Sequence, residues 1–261
     1  MLFLFIILIL SSTIHAETKD LYLDLMKKCL INSIYQDSSY YMHTVNNYRQ
    51  EDRNRGLDWP SVAHTMIGRN RMNNLHFCLE EVLKNNIPGD LIETGVWRGG
   101  ATIFMRAMLK VYGNTEKKVW VADSFEGLPE PKPSIYPADT GVQFHTYKQL
   151  AVSLEEVRSN FERYDLLDNQ VIFLKGWFCD TLPTAPIKKL ALMRLDGDMY
   201  ESTMDALVNL YPKLSVGGYV IIDDYSMEFC NKAVHDFRNK FGITDQLYIV
   251  DNIAAFWKRT K

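Results

Sequence analysis

The residues best suited to chemistry are two pairs of acids: Asp196 and Asp198 around Gly197, and the adjacent Asp223 and Asp224. Each pair follows a short apolar run, residues 190–193 (LALM) in one case and 219–222 (YVII) in the other. Such a run reads as a buried strand, so each pair stands at a strand's carboxyl end. If the two strands are parallel neighbours, all four carboxylates face one crevice at the end of an open sheet, where such folds bind ligands. Anions gathered out of water repel one another unless something positive joins them. A hard divalent cation with oxygen ligands is the simplest partner, and Arg194, directly after the first run and still within its strand, is a second source of positive charge. The plain alternative is that Asp198 caps the following helix while Asp223-Asp224 form a turn. Four acids at two strand tips favour a site over two unrelated turns.

A second constellation occupies residues 90–101, DLIETGVWRGGA, which reads as a strand, a glycine-bearing turn and a helix start. Gly95 permits a sharp turn, and Gly99-Gly100 permit a ligand to approach the helix N-terminus closely. The spacing departs from G-x-G-x-x-G, which disfavours NAD. Glu93 at the strand's end would repel a pyrophosphate and suits a ligand carrying an ammonium or sulfonium group. Asp123 closes the next strand, where a carboxylate can accept both hydroxyls of a ribose. Ser124 and Phe125 are placed to flank an adenine, and Trp97, Phe125 and Trp177 either line this pocket or pack the core. A cationic nucleoside without phosphates fits the set, and S-adenosylmethionine answers that description.

The elements that must position these groups follow from periodicity. Leu23, Met26, Leu30 and Ile34 recur at helical spacing over residues 20–35, and Leu75, Cys78, Leu79 and Val82 define a second helix stopped near Pro88-Gly89. Between them, residues 36–60 are polar and rich in Tyr, Asn and Arg, as in a mobile cover or a short helical segment. Strands are then expected at 91–92, 119–122, 171–174, 190–195, 219–222, 247–250 and 254–257. Helices are expected at 99–111, 153–164, 201–211 and 228–241, with Gly217-Gly218 as a turn before the fifth strand. This alternation implies an α/β fold with a doubly wound, mostly parallel, seven-stranded sheet and an N-terminal helical cover. The chain divides on this reading into residues 1–16, 17–89 and 90–261.

The 261 residues, 47% of them hydrophobic and 23% charged, suffice for a full core. A net charge of -3 without a long basic run argues against a nucleic-acid partner and for a small molecule. Residues 1–10 (MLFLFIILIL), the polar SST and Ala16 resemble a secretory signal, although no Lys or Arg precedes them. They suggest export or membrane association through residues 1–16, whereas a cofactor made in the cytosol favours a catalytic domain facing that side. Cys29, Cys78, Cys179 and Cys230 show no metal or redox spacing and read as buried free thiols.

Several long words, IETGVWRGGA, VADSFEGLP, LAVSLEEV, RLDGDMYESTMDAL and VIIDDY, resemble the macrocin O-methyltransferase family. The likeness runs from about Leu21 to Trp257. It implies a class I methyltransferase fold, S-adenosylmethionine, Mg²⁺ and a sugar or glycosylated small molecule as acceptor. It places cofactor contacts at Thr65, Met66, Glu93, Thr94, Gly95, Val96, Trp97, Asp123, Ser124, Ser153, Gly176 and Trp177, and metal ligands at Asp196, Asp223 and Asp224. The hydrophobic N-terminus and the Tyr-rich stretch from Gln36 to Asn54 depart from the family pattern.

A sugar hydroxyl is a weak nucleophile near neutral pH. A divalent cation would lower its pKa and fix its position, and a neighbouring carboxylate would take the proton. Asp196 is the leading ligand and base, Asp198 supports or replaces it, and His145 is a third choice. Two rival readings stand beside this one. Asp196-Gly197-Asp198 also mimics the D-x-D signature of metal-dependent glycosyltransferases, and a non-catalytic ligand-binding relative could keep the same fold. Assembly into a homo-oligomer is compatible with the sequence.

Overall fold

The computed structural model describes residues 17–41 and 44–261. The signal-like segment 1–16 lies outside them, and among the described residues no helix is long and apolar enough to cross a membrane. A helix described over 17–30 (α1) precedes strands β1 (Ser39–Tyr41) and β2 (Thr44–Asn46), helix α2 (Gln50–Arg55), strand β3 (Trp59–Pro60) and helix α3 (Gly68–Lys84). The alternating part comprises β4 (Asp90–Thr94), α4 (Gly100–Val111), β5 (Val119–Asp123), α5 (Leu154–Arg163), β6 (Val171–Lys175) and α6 (Phe178–Thr181). It continues through β7 (Leu190–Leu195), α7 (Tyr200–Leu210), β8 (Leu214–Ile222), α8 (Glu228–Lys240), β9 (Tyr248–Ile249) and β10 (Ala255–Lys258).

The main sheet has seven strands in the order β6-β5-β4-β7-β8-β10-β9. All pairings from β6 to β8 are parallel, and β10 runs antiparallel to both its neighbours. Strand order reverses between β4 and β7, which opens a crevice at their carboxyl ends. Helices cover both faces. Val119 and Val121 pack into the core shared with α1, α3, α4 and α5, whereas Trp120 and Ala122 pack with α7 and α8. Burial on both sides is why β5 runs Val-Trp-Val-Ala with no polar alternation before Asp123.

The Gly217-Gly218 pair is not a turn, because β8 runs through it. Leu214 faces Leu190 but Tyr219 faces Leu192, so residues 215–218 bulge against Ala191. A Cβ on Gly218 would meet the Ala191 carbonyl oxygen at 2.7 Å, and Gly217 has φ +88. A bulge of this kind needs residues without side chains. Helix α1 likewise stops before the expected end at residue 35. The Leu30 carbonyl accepts the amides of His64 (2.9 Å) and Thr65 (3.3 Å), and Asn32 adopts φ 51. A contact distant in sequence thus ends a helix whose local periodicity continues.

Residues 36–41 and 44–60 form a small antiparallel sheet, β2-β1-β3, together with α2. Its centre is Arg53, fully buried, which donates to both oxygens of Asp58 (3.1 and 2.9 Å), to Asp37 (2.7 Å) and to the Ile31 carbonyl (2.7 Å). The polar composition hides this order because the segment is built around ion pairs instead of an apolar stripe.

His64 joins this cover to the core, with Nδ1 2.8 Å from the Tyr164 hydroxyl. Burial, with the charges of Arg163 and Arg98, pushes its pKa down to about 4. An unfolded histidine titrates near ~6.5, so the fold favours the neutral ring. Its contribution to stability is full above that pH and declines as pH falls toward the folded value. The melting temperature is therefore expected to fall between pH ~6.5 and ~4, less steeply in His64→Gln. Thermal melts in matched buffers check this, and equal slopes in the two proteins would refute it.

Candidate active site

Because β7 and β8 are parallel neighbours, with Leu195 opposite Ile222, the acids that follow them meet at one end of the sheet. Carboxylate oxygens of Asp196, Asp198 and Asp224 lie within 4.8 Å of one another. The Asp196 amide donates to the Thr94 carbonyl and the Asp223 amide to the Leu195 carbonyl, each at 2.9 Å, so the sheet ladder carries both into place. Gly197 is followed by Asp198 at φ 55, and the Asp198 amide donates to Asp224 Oδ2 at 3.2 Å. Burial, then the charges of Asp196 and Asp223, pushes Asp198 up to about 8. Burial and the facing carboxylates also raise Asp224, and burial with Asp223 raises Asp196 against the pull of Arg194. Such a group is short of positive charge, the condition a hard cation relieves.

Asp198 does not cap α7. The amides of Tyr200 and Glu201 go to the buried carboxylate of Asp139, at 2.7 and 3.0 Å, from the proline-bearing loop. Asp198 is thereby left to the crevice. Arg194 is fully buried and bridges three acids: it pairs with Glu93, with Asp223, and with Asp196 at 2.8 Å. Arg71 of α3 holds the second oxygen of Asp223. Asp223 therefore lies outside the close group of three, because successive residues leave a strand on opposite faces. Asp223 turns toward α3, and Asp224 turns toward Asp198.

At the cofactor end, Glu93 is buried beside Arg194, and its Oε2 has no hydrogen-bond partner among the described residues while the residue lines a cavity of about 700 Å³. Burial pushes its pKa up to about 8 despite Arg194. An orphaned buried acceptor is what an incoming ammonium group would satisfy. Asp123 accepts the amides of Val96 and Phe125, both at 2.7 Å, which fixes its carboxylate on the cavity wall with lone pairs to spare.

Gly95 has φ +80, and a Cβ there would sit 1.7 Å from the Asp196 carbonyl oxygen. The cofactor turn and the acid loop touch through this residue. Gly95→Ala is expected to cost about 3 kcal/mol, from left-handed backbone strain plus the clash. Urea unfolding measures it, and a midpoint within error of wild type would contradict the assigned contact. Gly99 and Gly100 serve a different purpose from the one expected. Neither lines the cavity: Gly100 lies against the His64 carbonyl, to which its amide donates at 2.9 Å, and Gly99 packs on Val157. The chain's own segment, not a ligand, closes on that helix end.

The cavity brings together Thr65, Met66, Glu93, Gly95, Val96, Trp97, Asp123, Ser124, Gly176 and Trp177 with all four aspartates. Thr94 and Ser153 are not on its wall. Thr94 is fully buried, and Ser153 is the N-cap of α5, accepting the Glu156 amide at 3.1 Å. His145 is exposed on a surface turn, and Phe125 packs against Phe173. All four cysteines are free, but only Cys78 and Cys230 are buried as expected: Cys29 is half-buried, and Cys179 is exposed and lines the cavity. Sequence reasoning passed over Arg71, Asp139 and the Lys132–Glu201 pair (2.7 Å). Arg71 left a trace, since it falls on the buried stripe of α3 with Gly68, Met72, Leu75 and Cys78.

A seven-stranded sheet in this order, with a glycine turn and two acids closing its central strands, is a class I methyltransferase of Rossmann-like fold. The chain belongs to the macrocin O-methyltransferase (TylF) family, which it matches over residues 19–259. It is 55% identical over 246 residues to the 8-demethyl-8-(2,3-dimethoxy-α-L-rhamnosyl)-tetracenomycin-C 4'-O-methyltransferase of Streptomyces olivaceus, covering 94% of each chain. It is 54% identical to the demethyldecarbamoylnovobiocin O-methyltransferase of Streptomyces niveus, over 92% of this chain and 94% of that one. The solved structure of the O-methyltransferase NovP matches with a TM-score of 0.90 at 53% identity, over 93% of this chain and all of the other. The protein is thus an enzyme, an S-adenosylmethionine-dependent O-methyltransferase, which sets aside the glycosyltransferase and non-catalytic readings.

Proposed function

We propose that this enzyme methylates a hydroxyl of a sugar or of a sugar-bearing small molecule, with Mg²⁺ assisting. The observation that carries this is the close group Asp196, Asp198 and Asp224 in the same cavity as Glu93 and Asp123. The relative from Streptomyces olivaceus is named for a rhamnosyl-bearing acceptor, which supports the substrate class. Asp196, Asp223 and Asp224 are the proposed ligands. Each carboxylate oxygen has two lone pairs, so those of Asp223 not facing Arg71 and Arg194 remain for an ion. Bound there, the ion supplies Lewis acidity that eases ionisation of the acceptor hydroxyl.

Asp198 is the proposed base, taking the hydroxyl proton on its carboxylate, with Asp196 beside it. Glu93 receives the ammonium group of the methyl donor through Oε2, and Asp123 receives the ribose hydroxyls. Gly95, Val96 and Trp97 form the wall between them, Thr65, against the start of α4, and Met66 extend it, and Ser124, Gly176 and Trp177 bound the adenine end. Thr94 and Ser153 support these segments from behind. Within 17–89, the small sheet and α2 act as the cover while α1 and α3 complete the core of the methyltransferase domain at 90–261.

Calorimetry with S-adenosylmethionine, followed by mass spectrometry of glycosylated acceptors incubated with the enzyme, tests the reading. The expected result is one added methyl group per acceptor, lost on chelation with EDTA and restored by Mg²⁺. Turnover unaffected by EDTA would remove the metal from the proposal, and methylation confined to sugar-free acceptors would remove the substrate class.

A further inference from the structure

Arg71 lines the cavity outside the close acid group, and its buried guanidinium lies between three separate segments that also border it. It pairs with Asp223 at the end of β8 and donates to the Gly56 carbonyl, just past α2, at 3.0 Å. It also places Nε 3.7 Å from Asp251, whose other oxygen accepts the amides of Ile253 (2.8 Å) and Ala254 (2.9 Å). Gly56, Asp223 and Ile253 all line the cavity. The fit at Gly56 is close: a Cβ there would lie 2.3 Å from the Arg71 guanidinium.

We infer that Arg71 is a positioning residue, which ties the cover loop 56–59 and the β9–β10 loop to the acid end of the sheet and so sets the shape of the acceptor half of the cavity. A planar guanidinium can donate to Asp223 and the Gly56 carbonyl while its charge faces Asp251 at ion-pair distance, whereas a lysine ammonium acts as a single compact charge. Without it, Asp223 keeps Arg194, but the Gly56 carbonyl and Asp251 lose their shared anchor. The cover loop carries Leu57 and leads into Trp59 of β3, both on the cavity wall, so loosening it admits water and blurs acceptor alignment. Arg71 makes no contact with Glu93, Gly95 or Asp123, so the cofactor end should be indifferent to its loss.

Hydrogen exchange on the full-length protein, with Arg71→Met and Arg71→Lys, tests this. In Arg71→Met, amides of residues 56–59 and 251–254 are expected to exchange roughly tenfold faster or more, with β4 and β7 unchanged. S-adenosylmethionine should bind within about twofold of wild type by calorimetry. Arg71→Lys should give intermediate exchange in the same segments, and it carries the test if the methionine variant does not fold. Wild-type exchange in both loops overturns the inference, as does equal acceleration across β4 and β7, which would mean only a general loss of stability. The catalytic consequence rests on reading this cavity as the methyl-transfer site. A wild-type protein that failed to bind S-adenosylmethionine would sink that reading and leave the exchange result standing.

Discussion

Arg194→Met is expected to destabilise the protein by about 3–5 kcal/mol, because it strips the positive partner from buried acids while nearly conserving side-chain volume. Three carboxylates depend on this one fully buried guanidinium: Glu93 on β4, Asp196 beyond β7 and Asp223 beyond β8. Each lies where three adjacent strands end, so the loss falls on the centre of the sheet. Arg71 would still neutralise part of Asp223, but nothing else among the described residues pairs with Glu93. Urea unfolding followed by circular dichroism reads the change. Arg194→Lys should recover little, since one ammonium cannot span three acids in the same plane. Glu93, pushed up to about 8 even beside Arg194, is protonated near neutral pH once the guanidinium is gone, so Glu93→Gln on the methionine background should restore part of the loss only in alkaline buffer, where that carboxyl ionises. A double mutant no more stable than Arg194→Met in such buffer would mean that burial of Glu93 does not depend on the pair.

Asp198→Asn is expected to lower kcat by roughly 10²- to 10⁴-fold, the usual contribution of a positioned general base. The change is isosteric and removes only the capacity to accept a proton. Asp198 lies in the close acid group and its amide holds Asp224, a backbone contact the substitution leaves intact. Affinity for S-adenosylmethionine should stay within about twofold, because Glu93 and Asp123 are untouched. Asp196→Asn should show a further sign, an increased requirement for Mg²⁺, since it removes a proposed ligand. Single-turnover rates measured across a Mg²⁺ titration separate the two variants. An Asp198→Asn enzyme as fast as wild type would reassign the base, and an Asp196→Asn enzyme with unchanged rate and Mg²⁺ response would end the metal mechanism.

The centre of the main sheet was legible because β5, β7 and most of β8 are buried on both faces. Residues 190–195 stand out as an apolar run, and the observed β7 has the same limits. The glycines were harder to interpret. Gly95 is a turn residue, as its place after β4 suggests, but the atom it makes room for is the Asp196 carbonyl, more than ninety residues away. Gly217 and Gly218 read as a turn and prove to be a bulge, since both uses require the same freedom from a side chain. The cover was the least legible part, because Arg53, Asp37 and Asp58 form a buried ionic centre that looks, residue by residue, like solvated surface.

By itself the sequence determined the parallel α/β alternation and the position of each acid at a strand tip. Those features depend on residues close together in the chain, through apolar runs and the turns that end them. The tertiary structure decided which acids share a charge. It sent Asp223 to two arginines and Asp198 to the open group, and it gave the α7 amides to Asp139. Coulombic pairing acts through space and is set by which strands become neighbours, so no local pattern could reveal it.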